Sequence, residues 1–125
     1  MKSLLARTRD KCDALLTPIA KLAHPMCECC GVRPTVDGDH WIEKGLSNFL
    51  RHELKNIVGL CRECHTMKHS KYKAKIDVKA VIIKKRGKAW DTWLHKVANT
   101  YIKTDLGHYQ ATYIVLENIH RALAK

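Results

Sequence analysis

The sequence predicts a small α+β domain, and three observations support this prediction. Residues 36–42, which carry Asp39 and His40, and the β-branched pair at 57–58 are candidates for two short strands. Helical apolar periodicity precedes and follows them. Two Cys-x2-Cys pairs enclose a loop-rich centre that would bury little apolar surface without a crosslink. At 125 residues we expect one domain, 1–125, with an N-terminal helical segment at 1–25, a cysteine-bounded core at 26–72 and a basic helical extension at 73–125.

The N-terminal half is expected to alternate between helix and loop. The spacing of Leu5, Cys12 and Leu15 predicts a helix over 3–16. Thr17-Pro18 predicts a break and restart, because threonine favours the N-cap and proline the first helical position.

The C-terminal half is expected to be helical. After Cys64 the pattern turns helical, with His65, Lys68, His69 and Tyr72 on one side. Asp77 and Gly87 predict the limits of a helix at 78–86, and a further helix follows at 89–99. Thr104 is the expected N-cap of a last helix, whose apolar stripe should pack on the rest of the domain. Dimerisation through that stripe is the alternative.

Composition and charge favour a folded protein with a polyanionic partner. Hydrophobic residues make up 46% and charged residues 28% of the chain, whose net charge is +11. Residues 68–103 hold eleven Lys or Arg against two Asp, which favours nucleic-acid phosphates over the alternative of a merely solvated basic face. No apolar run is long enough to cross a membrane. The charged N-terminus is a poor secretory signal, so we expect a cytoplasmic protein with reduced thiols.

The paired cysteines predict a structural zinc site. Their spacing lets one tight turn direct two thiolates at a tetrahedral ion, and Gly31 permits such a turn. Cys29 is a rival for Cys30, although only Cys27 and Cys30 have the two-residue gap. The alternatives are disulfides or coincidence. The expected ligands are Cys27, Cys30, Cys61 and Cys64.

Between and beside the cysteines lie the residues that phosphodiester hydrolysis needs. His40 is the candidate general base, because imidazole titrates near neutral pH. Asp39, His65 and His69 are the candidate ligands of a divalent cation that neutralises charge on the phosphate. The two histidines are four residues apart, so a helix presents both on one face. Asn56 is expected to hold the loop that directs His40.

These motifs resemble the HNH endonuclease family. The resemblance covers roughly residues 26–70. It implies a ββα-metal (His-Me finger) core with two strands and a helix around one divalent cation. By this resemblance His40 is the general base and Asn56 orients the loop. The metal ligands that it implies are Asp39, His65 and His69, of which His65 matches the family motif more firmly than His69. The cation is left open among Mg²⁺, Mn²⁺, Ni²⁺ and Zn²⁺.

A narrower resemblance extends further along the chain. Gly38-Asp39-His40-Trp41 and the segment IIKKRGKAWDTWL at 82–94 are similar to the NinG, or Rap-type, phage recombination nucleases. This resemblance implies action on branched DNA, and a host cytoplasmic location if the chain is phage-encoded.

The leading hypothesis is a metal-dependent DNA endonuclease, monomeric or homodimeric. One alternative is a non-catalytic zinc-knuckle module that only binds DNA, and a weaker one is a structural zinc protein in a protein assembly. The residues expected to contact DNA are Arg51, Lys68, Lys71, Lys73, Lys75, Lys84, Lys85 and Arg86.

Overall fold

The computed structural model describes residues 1–72 and 74–125. Over these residues, five α-helices surround one two-stranded antiparallel sheet. The helices are α1 (Leu4–Ala23), α2 (Arg62–Lys68), α3 (Val78–Arg86), α4 (Lys88–Val97) and α5 (Leu106–Ala124), and the strands are β1 (Asp37–His40) and β2 (Ile57–Leu60). The predicted small α+β fold is confirmed, with both strand candidates present and helices on each side.

Helix α1 runs without interruption through Pro18, so the predicted break at Thr17-Pro18 is wrong. Proline removes one helical hydrogen bond. However, Leu16 before it and Ile19 after it are buried in the same apolar cluster, and this packing keeps the helix continuous. Thr17 bonds to the sheet instead of capping a new helix, because its Oγ1 accepts a hydrogen bond from the N–H of Gly38 at 3.1 Å.

Helix α1 lies directly on the sheet at a point where neither strand carries a side chain. Gly38 of β1 pairs with Gly59 of β2. A Cβ atom at Gly38 would stand 3.1 Å from the carbonyl oxygen of Leu16 and 3.2 Å from Cα of Thr17. Both are backbone atoms that cannot swing away, so this close approach requires glycine.

The sheet separates two apolar clusters. Ile57 belongs to the cluster formed with α1 and α5, whereas Val58 and Leu60 belong to the cluster formed with α3 and α4. This division follows from the alternation of side chains along a strand. All four residues of β2 are buried, so the sheet forms the centre of the molecule and β1 lies beside it.

Helix α2 begins at Arg62, earlier than expected, because Cys61 is its N-cap and accepts a hydrogen bond from the N–H of Cys64 at 3.4 Å. It ends at Lys68, so His69 is its C-cap and Tyr72 lies beyond it, although both were expected on one side of the helix. The N–H of His69 still donates to the carbonyl oxygen of His65 at 3.3 Å. The seven-residue helix therefore carries two of the cysteines at its start and His65 in its middle.

The caps of the later helices are mostly those predicted. Asp77 caps α3, and Gly87 ends it with φ +99°. Helix α4 is slightly shorter than the expected 89–99 segment. Thr104 is not the N-cap of α5: Asp105 takes that place, and its Oδ1 accepts from the N–H of His108 at 2.9 Å. A carboxylate there also interacts favourably with the helix dipole.

The last helix packs along α1, as the apolar stripe predicted. Tyr109 and Leu116 are buried in the shared cluster, and the Cys12 thiol donates to the carbonyl oxygen of Tyr109 at 3.4 Å. Within the described ranges, none of the helices combines the length and the apolarity needed to span a bilayer.

Candidate active site and zinc site

Four cysteines from two parts of the chain converge on one point. Their Sγ atoms all lie within 4.8 Å of one another, and those of Cys30 and Cys61 are 3.9 Å apart. Zinc–sulfur bonds of about 2.3 Å in a tetrahedron need sulfur atoms about 3.8 Å apart. The donor set therefore fits a structural zinc ion with no position left for substrate. Its members are Cys27, Cys30, Cys61 and Cys64.

Cys30, and not its rival Cys29, belongs to this cluster. Gly31 has φ +69°, the left-handed conformation that closes the turn. Burial acts to raise the pKa of the Cys30 thiol, but hydrogen bonds from the backbone N–H groups of Val32 and Arg33, together with those from the Cys27 and Cys61 thiols, lower the pKa to about 6. In the same cluster burial raises the pKa of the Cys64 thiol, so the metal-free cluster holds protons that a bound metal ion would displace.

The first cysteine pair is fixed to the rest of the core through Glu28. Its carboxylate accepts from the N–H of Gly59 at 2.7 Å and from the guanidinium of Arg86 at 2.8 and 2.9 Å. Lys85 Nζ donates to the carbonyl oxygens of Glu28 and Cys29, each at 2.9 Å. Lys85 and Arg86, in the last turn of α3, thus hold the cysteine loop.

A second group of metal donors lies where β1 faces α2. Oδ1 of Asp39 is 3.1 Å from Nε2 of His65 and 2.9 Å from Nε2 of His69. The Asp39 side chain is buried, whereas those of His65 and His69 are 31% and 45% exposed. One carboxylate and two imidazoles that converge at an opening to solvent fit a divalent cation with free positions for water and phosphate.

Asp37 is a residue of this site that the sequence reasoning missed. Its Oδ2 is 2.9 Å from Nδ1 of His65, an arrangement that fixes the tautomer and orientation of an imidazole whose other nitrogen can bind a metal. The available signal was the Asp-Gly-Asp spacing, since residues two apart on a strand lie on the same face.

Lys68 is part of the site's interior. Its Nζ is 2.5 Å from Oδ2 of Asp39 and 5.1 Å from the centre of the Trp41 ring, and its side chain is only 3% exposed. The ammonium group therefore pairs with the oxygen of Asp39 that does not face the histidines. DNA contact through Lys68 stays a prediction, made from charge alone.

His40 is held in a defined tautomer. Its Nε2 is 2.8 Å from the carbonyl oxygen of Arg51. A carbonyl can only accept, so Nε2 carries the hydrogen and Nδ1 of the neutral ring has the free lone pair. Burial lowers the pKa of His40, and the Arg51 carbonyl acts in the opposite direction. The ring is therefore neutral near neutral pH and can accept a proton.

Asn56 is fully buried and holds the segment that follows β1. Its Oδ1 accepts from the N–H of Ile42 at 2.8 Å, and its Nδ2 donates to the carbonyl oxygens of Ile42 at 2.9 Å and Leu50 at 3.3 Å. Among the described residues, these hydrogen bonds of the Asn56 side chain all go to main-chain groups of the loop. The loop-holding role of Asn56 stays a prediction.

The candidate base and the candidate metal ligands open into the same groove. A cavity of about 260 Å³ is lined by Asp39, His40, His65 and His69, together with Gly38, Glu43 and Lys44. Asp39 and His40 are the last two residues of β1, and both belong to the lining of this cavity.

Arg51 forms an ion pair with helix α1. Its Nε and Nη2 donate to the two carboxylate oxygens of Asp13 at 3.0 and 2.6 Å, and Nε2 of His52 lies 2.7 Å from Oδ1 of the same carboxylate. No sequence signal connects Asp13 with Arg51, because they are far apart along the chain.

The eight basic residues expected to contact DNA fall into two groups. Arg51, Lys68, Lys85 and Arg86 make the internal contacts described above. Lys71, Lys75 and Lys84 are exposed, and so is Lys85 despite its bonds to the cysteine loop. Lys73 lies outside the described residues.

Comparison with known proteins gives one match. Residues 27–71 match the model of the HNH endonuclease family. This segment contains both cysteine pairs, His40, Asn56 and the three candidate ligands of the second metal. No curated protein and no solved structure matches the chain.

Proposed function

We propose, from the HNH match and the site geometry, that this chain is a divalent-metal-dependent endonuclease that hydrolyses phosphodiester bonds in DNA. The observation that carries the proposal is one groove in which a neutral imidazole with a free Nδ1 stands beside a carboxylate–imidazole metal site. Pure DNA binding requires neither group.

In this proposal each residue has one task. His40 accepts a proton from water at Nδ1 while Nε2 stays bonded to the main chain. Asp39, His65 and His69 hold the cation, and Asp37 orients His65. A divalent cation bound there would stabilise the charge that develops on the phosphate and the leaving oxygen. Asn56 holds the loop, and the zinc-bound cysteines fix its two ends.

The substrate part of the proposal rests on charge and on the narrower resemblance. The exposed residues Lys71, Lys75 and Lys84 supply phosphate contacts. We propose branched DNA, in phage recombination, as the substrate class. A cleavage assay on linear, nicked, single-stranded and four-way DNA, with Mg²⁺, Mn²⁺, Ni²⁺ and Zn²⁺ in turn, tests substrate and metal together. A host cytoplasmic location and a monomeric or homodimeric state complete the proposal.

The decisive variant is His40→Ala. We expect cleavage by the metal-loaded protein to slow by about 10²–10⁴-fold through loss of general-base catalysis, with DNA affinity and cation binding retained. His95→Ala is the matched control, because His95 is exposed on α4 and belongs to neither metal site. Undiminished cleavage by the His40→Ala protein refutes the assignment.

One observation favours the alternative of a non-catalytic zinc-knuckle module. The ammonium group of Lys68 already neutralises Asp39, so a divalent cation must share that carboxylate. If calorimetry detects no second cation beyond zinc, and DNA is bound but never cut, the binding module replaces the nuclease.

A further inference from the structure

We infer that Asp13 is a positioning residue for His40, acting from helix α1 outside the HNH-matched segment 27–71. The inference rests on the proposed nuclease function and assigns it a residue that the family match does not cover. The link passes through the main chain of Arg51.

The first part of the link is the bond between His40 and Arg51. The imidazole Nε2 is 2.8 Å from the Arg51 carbonyl oxygen. This oxygen fixes both the ring orientation and the tautomer that leaves Nδ1 free. It belongs to a turn at 48–52 outside the helices and strands, so its position depends on what holds that turn.

The second part is the set of bonds between Asp13 and this turn. The carboxylate receives two parallel hydrogen bonds from Arg51, at 3.0 and 2.6 Å, and lies 2.7 Å from His52 Nε2. A two-pronged guanidinium–carboxylate pair fixes direction as well as distance. The Asp13, Arg51 and His52 side chains are 22%, 20% and 6% exposed, so water competes little for these bonds.

The support behind Asp13 is rigid. Its neighbour Cys12 is fully buried between α1 and α5, so the Asp13 backbone is fixed by helix packing. Burial acts to raise the pKa of Asp13, but hydrogen bonds from His52 and Arg51 outweigh it and hold the pKa well below its usual range. The Asp13 carboxylate is therefore charged throughout the neutral pH range.

Asn56 and Asp13 hold different ends of the same loop. Asn56 bonds both backbone groups of Ile42 and reaches Leu50 only at 3.3 Å. Asp13 holds the next residues, Arg51 and His52. Without Asp13 the loop keeps its anchor at the strand end and the buried Leu50, but Arg51, whose carbonyl binds His40, loses the ion pair that fixes its side chain.

The test compares Asp13→Ala and Asp13→Asn with a matched control, Asp10→Asn. Asp10 lies one turn earlier on α1 and pairs with exposed Lys2 instead of the loop. We expect the single-turnover cleavage rate at saturating DNA to fall about 10- to 100-fold in Asp13→Ala, the effect of a misplacement of about 1 Å. Asp13→Asn, which keeps an acceptor, should fall less, and Asp10→Asn should match the native rate.

A double-mutant cycle separates positioning from a general loss of structure. If Asp13 acts through His40, Asp13→Ala has no further effect on the residual rate of the His40→Ala protein. If Asp13→Ala lowers that residual rate by the same factor as in the native background, the inference is overturned. Circular dichroism identifies a temperature at which every variant is folded.

Nitrogen-15 spectra of the His40 ring give a readout that needs no cleavage. We expect the Nε2-protonated tautomer alone in the native protein and in Asp10→Asn, and a mixture of tautomers in both Asp13 variants. An unchanged tautomer in Asp13→Ala overturns the inference. A protein that cuts no DNA yet shows this dependence on Asp13 refutes the nuclease proposal while the positioning link stands.

Discussion

The buried pair of Lys68 and Asp39 leads to a prediction about cation binding: removing the positive charge of Lys68 should strengthen the binding of a divalent cation. Lys68→Met keeps the length and apolar body of the side chain and removes the ammonium. Both partners are almost fully buried, at 3% and 4% exposure. Breaking such a pair by removal of one partner costs about 3–5 kcal/mol, and the lower end applies because His65 and His69 also contact the carboxylate.

The same substitution should increase affinity for a divalent cation. Without Lys68 the Asp39 carboxylate lacks its ammonium partner, so a cation recovers part of the lost free energy on binding. Recovery of about 1.4–3 kcal/mol corresponds to a Kd that is about 10- to 150-fold lower. We therefore expect Lys68→Met to be less stable than the native protein without the cation, and to gain more stability from adding it.

Titration calorimetry with Mn²⁺, and urea unfolding with and without Mn²⁺, measure both quantities on the zinc-loaded protein. Lys71→Met is the matched control, because Lys71 is exposed on the adjacent segment. A Kd for Mn²⁺ that is unchanged or weaker in Lys68→Met refutes the reasoning. Loss of DNA affinity, with a salt dependence reduced by about one phosphate contact, would instead identify Lys68 as a DNA ligand.

Three further predictions concern the scaffold of the site. Asn56→Ala should lower the free energy of unfolding by about 2–4 kcal/mol, because three hydrogen bonds are lost and both backbone groups of Ile42 stay buried; urea unfolding measures this. The depressed pKa of Asp13 stabilises the fold above the unfolded-state pKa of about 3.9, and this contribution is lost as pH falls through the folded-state value. Native and Asp13→Asn proteins should therefore differ in stability at neutral pH and converge in acid. Removing zinc with a chelator should unfold the 26–72 core, since such sites contribute about 10–16 kcal/mol, and far-ultraviolet circular dichroism records the change.

Each of these predictions has an outcome that would contradict it. For Asn56→Ala it is a stability within about 0.5 kcal/mol of native, the range of ordinary surface substitutions. For Asp13 it is a stability difference from Asp13→Asn that persists unchanged in acid. For zinc removal it is a thermal melting curve that does not change when the chelator is added.

The cysteine pairs and the Asp-His dipeptide were visible in the sequence because their chemistry constrains spacing. Two thiolates separated by two residues can share one ion, and two histidines four apart share one helix face. The structure brings each of these groups together as the spacing indicated. Local patterns were therefore enough to predict which residues lie together when those residues are close in sequence or are typical metal ligands such as cysteine.

Tertiary contacts account for what the sequence did not predict. Pro18 stays inside a helix because burial on both sides outweighs its local preference. Counting charges assigned Lys68 and Arg86 to DNA contact, whereas in the structure one pairs with Asp39 and the other with Glu28. The bond from Asp13 to Arg51 depends on how α1 lies on the sheet, which no local pattern specifies.

Helix α2 connects the two groups of metal donors within less than two turns. Cys64 belongs to the four-cysteine group and its immediate neighbour His65 to the carboxylate–imidazole group, so a displacement in one group reaches the other with almost no chain between them to absorb it. If the cysteines hold zinc as proposed, loss of that ion would disturb the position of His65 as well as the stability of the core.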